Sequence, residues 1–585
     1  MAWVKYYIFI FISKVLTIHL KDKFKDGLLR SNKQIFILGL FIVFLSACTS
    51  KEVNRPPNII FIMSDDHTTQ ALGVYGSRLA ILNPTPNLDK LASEGMVFNN
   101  CFVNNAICVP SRAAIITGQR GQTNGVIDLE GKIAPEKQFL PMELKALGYQ
   151  TAMVGKWHLH DEPAAFDYYQ VLPGQGKYFD PEFRLRGDKP WPENLVQTKG
   201  HSTDKITDIA INYIKNIRNK EEPFFLMHHY KAPHDDFEYA PRYESYLANT
   251  FIPEPESLYE IGNHGSEAIR GRNDSLTRII GSSVSHRNLI RNQAMNIYWK
   301  DTSIYKKYRN AQDIGAEELV KWEIDPPERE YTSKVYQDYL KKYLRCVKGV
   351  DDNIKRLIDF LKAENLLENT IIIYTGDQGF MLGEHDYIDK RWMYDESMRM
   401  PFFVRYPKKV LAGSSSEAII NNTDFAPTII ALAGGEKPAY MQGNSFDVIL
   451  ETGKEPEAWP QATYYRYWMH LAHRHQNPAH FGIRTKEYKL IFYYGKYWVD
   501  TDKADSEWNK ESWGNDFTNH TPPAWELYDL KKDPYEMNNV YRDENYAEIV
   551  ADLKNQLLEM RKNLNETDQH YPHIQKVIDA NWNTN

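Results

Sequence analysis

The sequence predicts an α/β fold: a large, mostly parallel central sheet flanked by helices, followed by a smaller C-terminal α+β subdomain built on an antiparallel sheet. Three observations predict it. Short apolar runs recur at Asn58 to Met63 (NIIFIM), Phe224 to Met227 and Thr370 to Tyr374, and such runs suit strands buried on both faces. Segments of helical spacing lie between them, as in sheets with helical crossovers. After about residue 456 the texture changes to closely spaced, aromatic-rich strands.

The first strand, 58–63, follows a polar linker. Thr85 and Pro86 then offer an N-cap and an N1 proline for a helix whose Leu88 and Leu91 face the core and which Gly95 stops. Thr151 to Val154 is a second strand. Ile206, Ile209, Ala210, Tyr213 and Ile217 carry helical spacing into strand Phe224 to Met227. A long helix from about Val335 to Leu367 leads into Thr370 to Tyr374, with Phe402 to Arg405 a further strand and Phe425 to Ala433 a helix. Residues 255–335 are polar and poorly periodic, and read as a long insertion. In the C-terminal part, Thr463 to Tyr467, Phe481 to Arg484 and Tyr488 to Tyr494 are strands. Ile549, Leu553, Leu557, Met560 and Leu564 line one face of a final helix.

A chain of 585 residues exceeds one compact core. The net charge of −7 argues against nucleic acid as a partner. Near the N-terminus, Arg30 and Lys33 precede the apolar run Ile35 to Phe44 and then Leu45-Ser46-Ala47-Cys48. Basic, apolar and small-residue regions in that order make a secretory signal, with an apolar core too short to span a membrane. Its ending resembles a bacterial lipobox, which implies lipidation of Cys48, a membrane anchor and a place in the cell envelope, periplasmic or on the outer-membrane surface. Residues 1–29 read as an extension from a start codon assigned too early. The expected organisation is therefore 1–47 signal and extension, 48–56 lipidated linker, 57–455 main α/β domain, which carries the polar motifs described next, and 456–585 C-terminal subdomain. Cys101 and Cys346 remain, and their spacing leaves pairing open.

Polar motifs sit just past several of the strand ends, where open α/β sheets place their sites. The most informative is Cys108-Val109-Pro110-Ser111-Arg112-Ala113-Ala114-Ile115-Ile116-Thr117-Gly118. Read on its residues alone, it puts a thiol at a helix N-terminus, where the macrodipole favours negative charge. Asp65 and Asp66 follow the first strand, and adjacent carboxylates repel unless a cation lies between them. Asp377 and Gln378, in Thr375-Gly376-Asp377-Gln378-Gly379, complete an all-oxygen set suited to Ca²⁺ or, less well, Mg²⁺, and not to zinc. Gly155-Lys156-Trp157-His158 brings a point charge and a titratable ring. His228-His229-Tyr230-Lys231-Ala232-Pro233-His234 follows another strand, and Lys390 lies in Asp389-Lys390-Arg391-Trp392.

Cys-x-Pro-Ser-Arg followed by Thr-Gly resembles the sulfatase signature. The two metal motifs, Gly-Lys-Trp-His, Ala-Pro-His, Lys390 and the closing Trp525 to Leu530 with Asp533-Pro534 also resemble blocks of that family, in its order. The chain thus resembles the type I formylglycine-dependent sulfatases of the alkaline-phosphatase-like superfamily over nearly all of its mature length. The resemblance implies that a maturation enzyme oxidises Cys108 to formylglycine. It implies that Asp65, Asp66, Asp377, Gln378 and residue 108 hold Ca²⁺, although Gln378 stands where the best-known members carry Asn. Arg112 would hold the attacking hydroxyl, and Lys156 and Lys390 would neutralise sulfate oxygens. His234 would protonate the departing alcohol, and His158 would take the proton that lets sulfate leave. The implied substrate is a sulfated oligo- or polysaccharide, with N-acetylglucosamine-6-sulfate, galactose sulfates and N-acetylgalactosamine sulfates all compatible. Gln175, Lys177, His473, Arg474, His475 and His480 are candidate substrate contacts, with exposed polar loops as the alternative. The competing functions are a phosphomonoesterase or phosphodiesterase of the same superfamily and a non-catalytic glycan-binding lipoprotein.

Overall fold

The computed structural model describes residues 55–259, 262–270, 282–283, 329–472, 477–500 and 520–584. The signal, Cys48, most of the expected insertion, and His473, Arg474 and His475 lie outside the described residues. Pro56–Asn585 forms one compact unit. No helix among the described residues is long and apolar enough to cross a membrane.

The strands are β1 (Asn58–Asp65), β2 (Met96–Phe102), β3 (Gln150–Lys156), β4 (Tyr168–Leu172), β5 (Glu182–Leu185), β6 (Leu195–Gln197), β7 (Phe224–Pro233), β8 (Ser282–Ser283) and β9 (Thr370–Gly376). They continue with β10 (Met381–Leu382), β11 (Tyr387–Asp389), β12 (Phe402–Arg405), β13 (Ser414–Asn421), β14 (Ala462–Tyr467), β15 (His480–Thr485), β16 (Tyr488–Tyr493) and β17 (Ala524–Asp529). Ten of them form the central sheet in the order β13-β2-β12-β9-β1-β7-β3-β4-β5-β6. Its middle, β9-β1-β7-β3-β4, is parallel. β12 runs antiparallel to both of its neighbours, and β5 and β6 extend the sheet as an antiparallel meander. The last four strands form the separate antiparallel sheet β14-β15-β16-β17.

All eight residues of β1 are buried. Ile59, Phe61 and Met63 join one apolar cluster, while Ile60 and Ile62 join the other. The sheet is covered on both faces, so its central strands read as continuous apolar runs rather than alternating ones. Helices Cys108–Thr117, Phe139–Ala146 and Phe425–Leu432 supply side chains to the first cluster. Pro86–Ser93, Ser202–Asn212 and Arg329–Ala363 supply the second. Cys101 belongs to the first and Cys346 to the second, and both thiols are unpaired.

The strands that the sequence reading did not anticipate are those with mixed polarity. β13 (SSSEAIIN) and β2 (MVFNNCF) alternate little, and all three residues of β6 are exposed. Their partners come from far along the chain or from a meander, which local patterning does not encode. Thr85 precedes the helix as expected, with Pro86 at N1, but its hydroxyl makes no cap. It accepts from Gly73 N and donates to Asp89 Oδ1, both at 3.1 Å.

Gly155, at the end of β3, has φ of +98°, and a Cβ there would collide with the His229 carbonyl of β7. Gly155→Ala is expected to destabilise the protein by more than about 2 kcal/mol, since an L-residue pays both the left-handed strain and the clash. A lowered denaturant midpoint with unchanged slope would check this. A midpoint equal to wild type would show that β3 and β7 tolerate separation here.

Candidate active site

The carboxyl ends of the parallel strands converge with the start of one helix. At the end of β1 the pairing with β7 shifts register between Ser64 and Asp65, and Asp66 takes a left-handed φ of 63°. That conformation is held through the main chain: Tyr343 OH donates to Asp66 O at 2.7 Å, and Asp66 N donates to Asp377 Oδ1 at 3.1 Å. β9 delivers Asp377 and Gln378, β3 delivers Lys156 and His158, and β7 delivers His234. Ile107 is the extended N-cap of helix Cys108–Thr117, so Cys108 occupies its first position and Arg112 lies one turn later on the same face. Asn422 fixes this helix start by donating to Ser111 Oγ at 3.1 Å while accepting from Asn104 N at 3.2 Å.

The charges interlock. Arg112 donates from Nε and Nη2 to Asp377 Oδ2 at 3.1 and 2.9 Å, and from Nη2 to Asp65 Oδ2 at 3.1 Å. Lys156 Nζ pairs with Asp65 Oδ2 and donates to Gln175 Oε1 at 2.6 Å. Lys390 Nζ pairs with Asp66 Oδ1 and donates to Cys108 Sγ at 3.3 Å. The Cys108 thiol in turn lies 3.5 Å from Asp65 Oδ1. His234 Nε2 is 3.7 Å from Asp66 Oδ2.

These contacts set the ionisation states. Burial alone would raise the Asp65 carboxyl, but Lys156 and Arg112 hold it well below the usual range. Asp66 is pushed up to about 7 by burial and by Asp65 and Asp377, against the pull of Lys390. Burial works against the Lys390 charge, yet Asp66 and its neighbours raise the ammonium well above its ordinary value. Burial, then Lys156 and Arg112, push His158 well below its ordinary value, leaving a neutral ring. The Cys108 thiol is pushed up to about 12 by burial and by Asp65. A thiolate at a helix end, suggested by the sequence alone, is therefore not what the fold builds: desolvation and an adjacent carboxylate outweigh the macrodipole.

Ligand atoms of Asp65, Asp66 and Asp377 all lie within 4.8 Å of one another, as do those of Asp65, Cys108 and His234. Gln378 donates from Nε2 to Asp66 Oδ1, and its buried Oε1 has no hydrogen-bond partner among the described residues. An orphaned amide oxygen beside three buried carboxylates fits a hard cation, so the longer Gln side chain is compatible with the set.

The remaining candidates divide. Gln175 reaches the site through Lys156. Lys177 is exposed and lies 3.5 Å from Glu182 Oε2. His480, expected as a substrate contact, is instead fully buried. It lies in β15, its Nδ1 is 2.8 Å from Pro478 O, and its ring stacks on Tyr465 and Trp392. A strand rather than a loop sets its direction, so it faces the interior. His229 is a neighbour of the site, 3.2 Å from Lys156 O and 3.4 Å from Arg112 Nη1. Sequence reasoning missed Tyr343, Asn422 and Asp235. Only Asp235 left a trace, as an acid next to His234.

Buried cations around a buried thiol, with carboxylates suited to a metal, at the strand ends of a doubly covered parallel sheet, fit a site that receives an anionic ester. Comparison with known proteins narrows the class. The sulfatase family profile matches residues 57–435, and the profile of the N-sulphoglucosamine sulphohydrolase C-terminal region matches 383–510 and 516–563. The sequence is 40% identical over 562 residues to an N-acetylglucosamine-6-O-sulfatase of Bacteroides thetaiotaomicron, spanning 93% of each chain. The fold is similar, with a TM-score of 0.72 and 38% identity, to BT4656 in complex with its substrate D-glucosamine-2-N,6-O-disulfate, over 88% of this chain and 99% of that one. The phosphonate monoester hydrolase of Agrobacterium radiobacter shares the fold alone, at TM-score 0.61 and 18% identity over 87% of this chain and 96% of that one. The chain belongs to the sulfatase family and is a hydrolase of sulfate esters.

Proposed function

We propose that this protein is a carbohydrate O-sulfatase that removes the 6-O-sulfate of glucosamine residues, using formylglycine formed from Cys108 and a calcium ion. The observation that carries the chemistry is the surroundings of Cys108: a buried thiol 3.3 Å from Lys390 Nζ and 3.5 Å from Asp65 Oδ1, in a nest of three carboxylates, two lysines and Arg112. The sugar is inferred from the 40% identical N-acetylglucosamine-6-O-sulfatase and from the glucosamine disulfate bound by the related solved structure. The lipobox-like ending at Cys48 supports an anchored envelope protein that meets its maturation enzyme before use.

Asp65, Asp66, Asp377 and Gln378 would hold Ca²⁺, which supplies a Lewis acid that lowers the pKa of an adjoining oxygen and screens sulfate charge. Hydrated formylglycine supplies two hydroxyls on one carbon, one to attack sulfur and one whose deprotonation lets sulfate leave. The chain's own groups do the rest. Lys156 and Lys390 neutralise sulfate oxygens from fixed, buried positions that need no reorganisation during reaction. Arg112, locked to Asp65 and Asp377, fixes the first turn of the helix and hence residue 108. Neutral His158 accepts a proton. His234 donates one from Nε2 to the leaving oxygen. Burial and Lys156 hold His234 down to about 4 in the absence of substrate, and the negative charge of a bound sulfate ester favours its protonated form.

The test is sulfate release by enzyme co-produced with its maturation partner, from glucosamine-6-sulfate, N-acetylglucosamine-6-sulfate, galactose and N-acetylgalactosamine sulfates, and matched phosphate esters. Release from the glucosamine 6-O-sulfates at least about tenfold faster, as kcat/KM, than from the others is expected. Preference for a phosphate ester, or binding without turnover of any sugar, would overturn the proposal.

A further inference from the structure

We propose that Asp235 is a positioning residue for His234, holding the ring so that Nε2 presents its proton to the leaving oxygen. The inference rests on the assignment of His234 as proton donor given above. The two nitrogens of that ring have different surroundings. Nε2 faces the carboxylate cluster, 3.7 Å from Asp66 Oδ2. Nδ1 lies 2.7 Å from both the Asp235 main-chain oxygen and Asp235 Oδ1. A proton on Nδ1 is thus committed to Asp235, and the ring is held against rotation about its outer bonds. When the S–O bond of the ester breaks, its electron pair goes to the sugar oxygen, which takes the Nε2 proton.

Asp235 is itself held. Lys231 Nζ donates to Asp235 O at 3.3 Å and lies 4.7 Å over the Tyr178 ring. Tyr178 OH donates to His234 O, and His234 N donates to Lys231 O at 3.1 Å. Lys231, Tyr178, His234 and Asp235 therefore form a closed frame at the end of β7. Lys231 and Tyr178 are buried there although neither takes part in the chemistry assigned above. The arrangement serves a ring whose orientation matters, and it explains why a half-exposed aspartate follows the histidine directly.

A double-mutant cycle tests this with Asp235→Asn, which keeps the shape and removes the charge, and His234→Ala. With a glucosamine 6-O-sulfate as substrate, D235N, which removes the carboxylate beside Nδ1 and keeps the main-chain acceptor, is expected to lower kcat about 10- to 100-fold, the range for losing one close charged partner, with little change in KM. Introduced into H234A, it is expected to cost nothing further, because Asp235 acts only through that ring. An unchanged kcat, an effect confined to KM, or the same loss in both backgrounds would overturn the role of Asp235. Full activity of H234A alone would instead overturn the proton-donor assignment, so the two failures are distinct. Matching circular dichroism and melting curves establish that each variant folds. Asp235→Ser, read the same way, replaces D235N if that variant melts early.

Discussion

Cys108→Ala is expected to reduce sulfate ester turnover at least about 10⁴-fold while leaving the protein folded, because it removes the reacting group and little else. The side chain is 1% exposed, and its polar contacts are with Lys390 and Asp65. Both partners keep others: Lys390 stays on Asp66, and Asp65 stays on Arg112 and Lys156. No buried charge is therefore orphaned, and the stability loss is expected to stay near 1 kcal/mol, measured by denaturant unfolding. The contrast with an ordinary cysteine hydrolase is chemical. A thiol pushed up to about 12 is a poor nucleophile near neutral pH, which agrees with the proposal that the formylglycine formed from it, and not the thiol, would attack. Substantial turnover by C108A would mean that the carboxylates and cations act on a water instead.

Metal removal is expected to have the next largest effect. Stripping the protein with a chelator should lower turnover at least about 100-fold, and Ca²⁺ should restore it. The stripped site carries Asp65, Asp66 and Asp377 within one buried cluster, and the raised Asp66 carboxyl, at about 7, takes up a proton near neutrality. The sign follows from this. Below about pH 7 the proton partly neutralises the cluster and competes with the cation. Above it Asp66 is ionised, the stripped cluster loses that relief, and the cation binds without displacing a proton. The gap in melting temperature between Ca²⁺-loaded and stripped protein should therefore widen from pH 6 to pH 8. A gap that narrows over that range would show that Asp66 is not a ligand, and no gap at any pH would remove the metal from the account.

The central sheet was legible because burial on both faces writes itself into β1, β7 and β9 as unbroken apolar runs. Of the strands hidden from the sequence, β13 owes its place to pairing with β2 across a long separation and β6 to a short meander with β5, rather than to their own residues. The site was legible for a related reason: its polar residues interrupt strand ends, where no structural need for them exists. Three features were not. The state of the Cys108 thiol depends on Asp65, 43 positions earlier in the chain, and on burial that no local pattern reports. The direction of His480 depends on its lying within β15 rather than in a loop. Asp235 is visible in the sequence as an acid next to His234, but Asp236 follows it directly, and the distance to His234 Nδ1 is what assigns Asp235 to that ring.

The account depends most on the conversion of Cys108, and mass spectrometry of one tryptic peptide tests it. Cleavage after Lys90 and Arg112 releases residues 91–112, which carry both Cys101 and Cys108. After treatment with a thiol-alkylating reagent, protein that is actively releasing sulfate is expected to yield this peptide with one alkylated cysteine, Cys101, and an aldehyde at position 108, the side chain having exchanged H₂S for oxygen. The same peptide from equally active protein, with both cysteines intact and alkylated, would contradict the account.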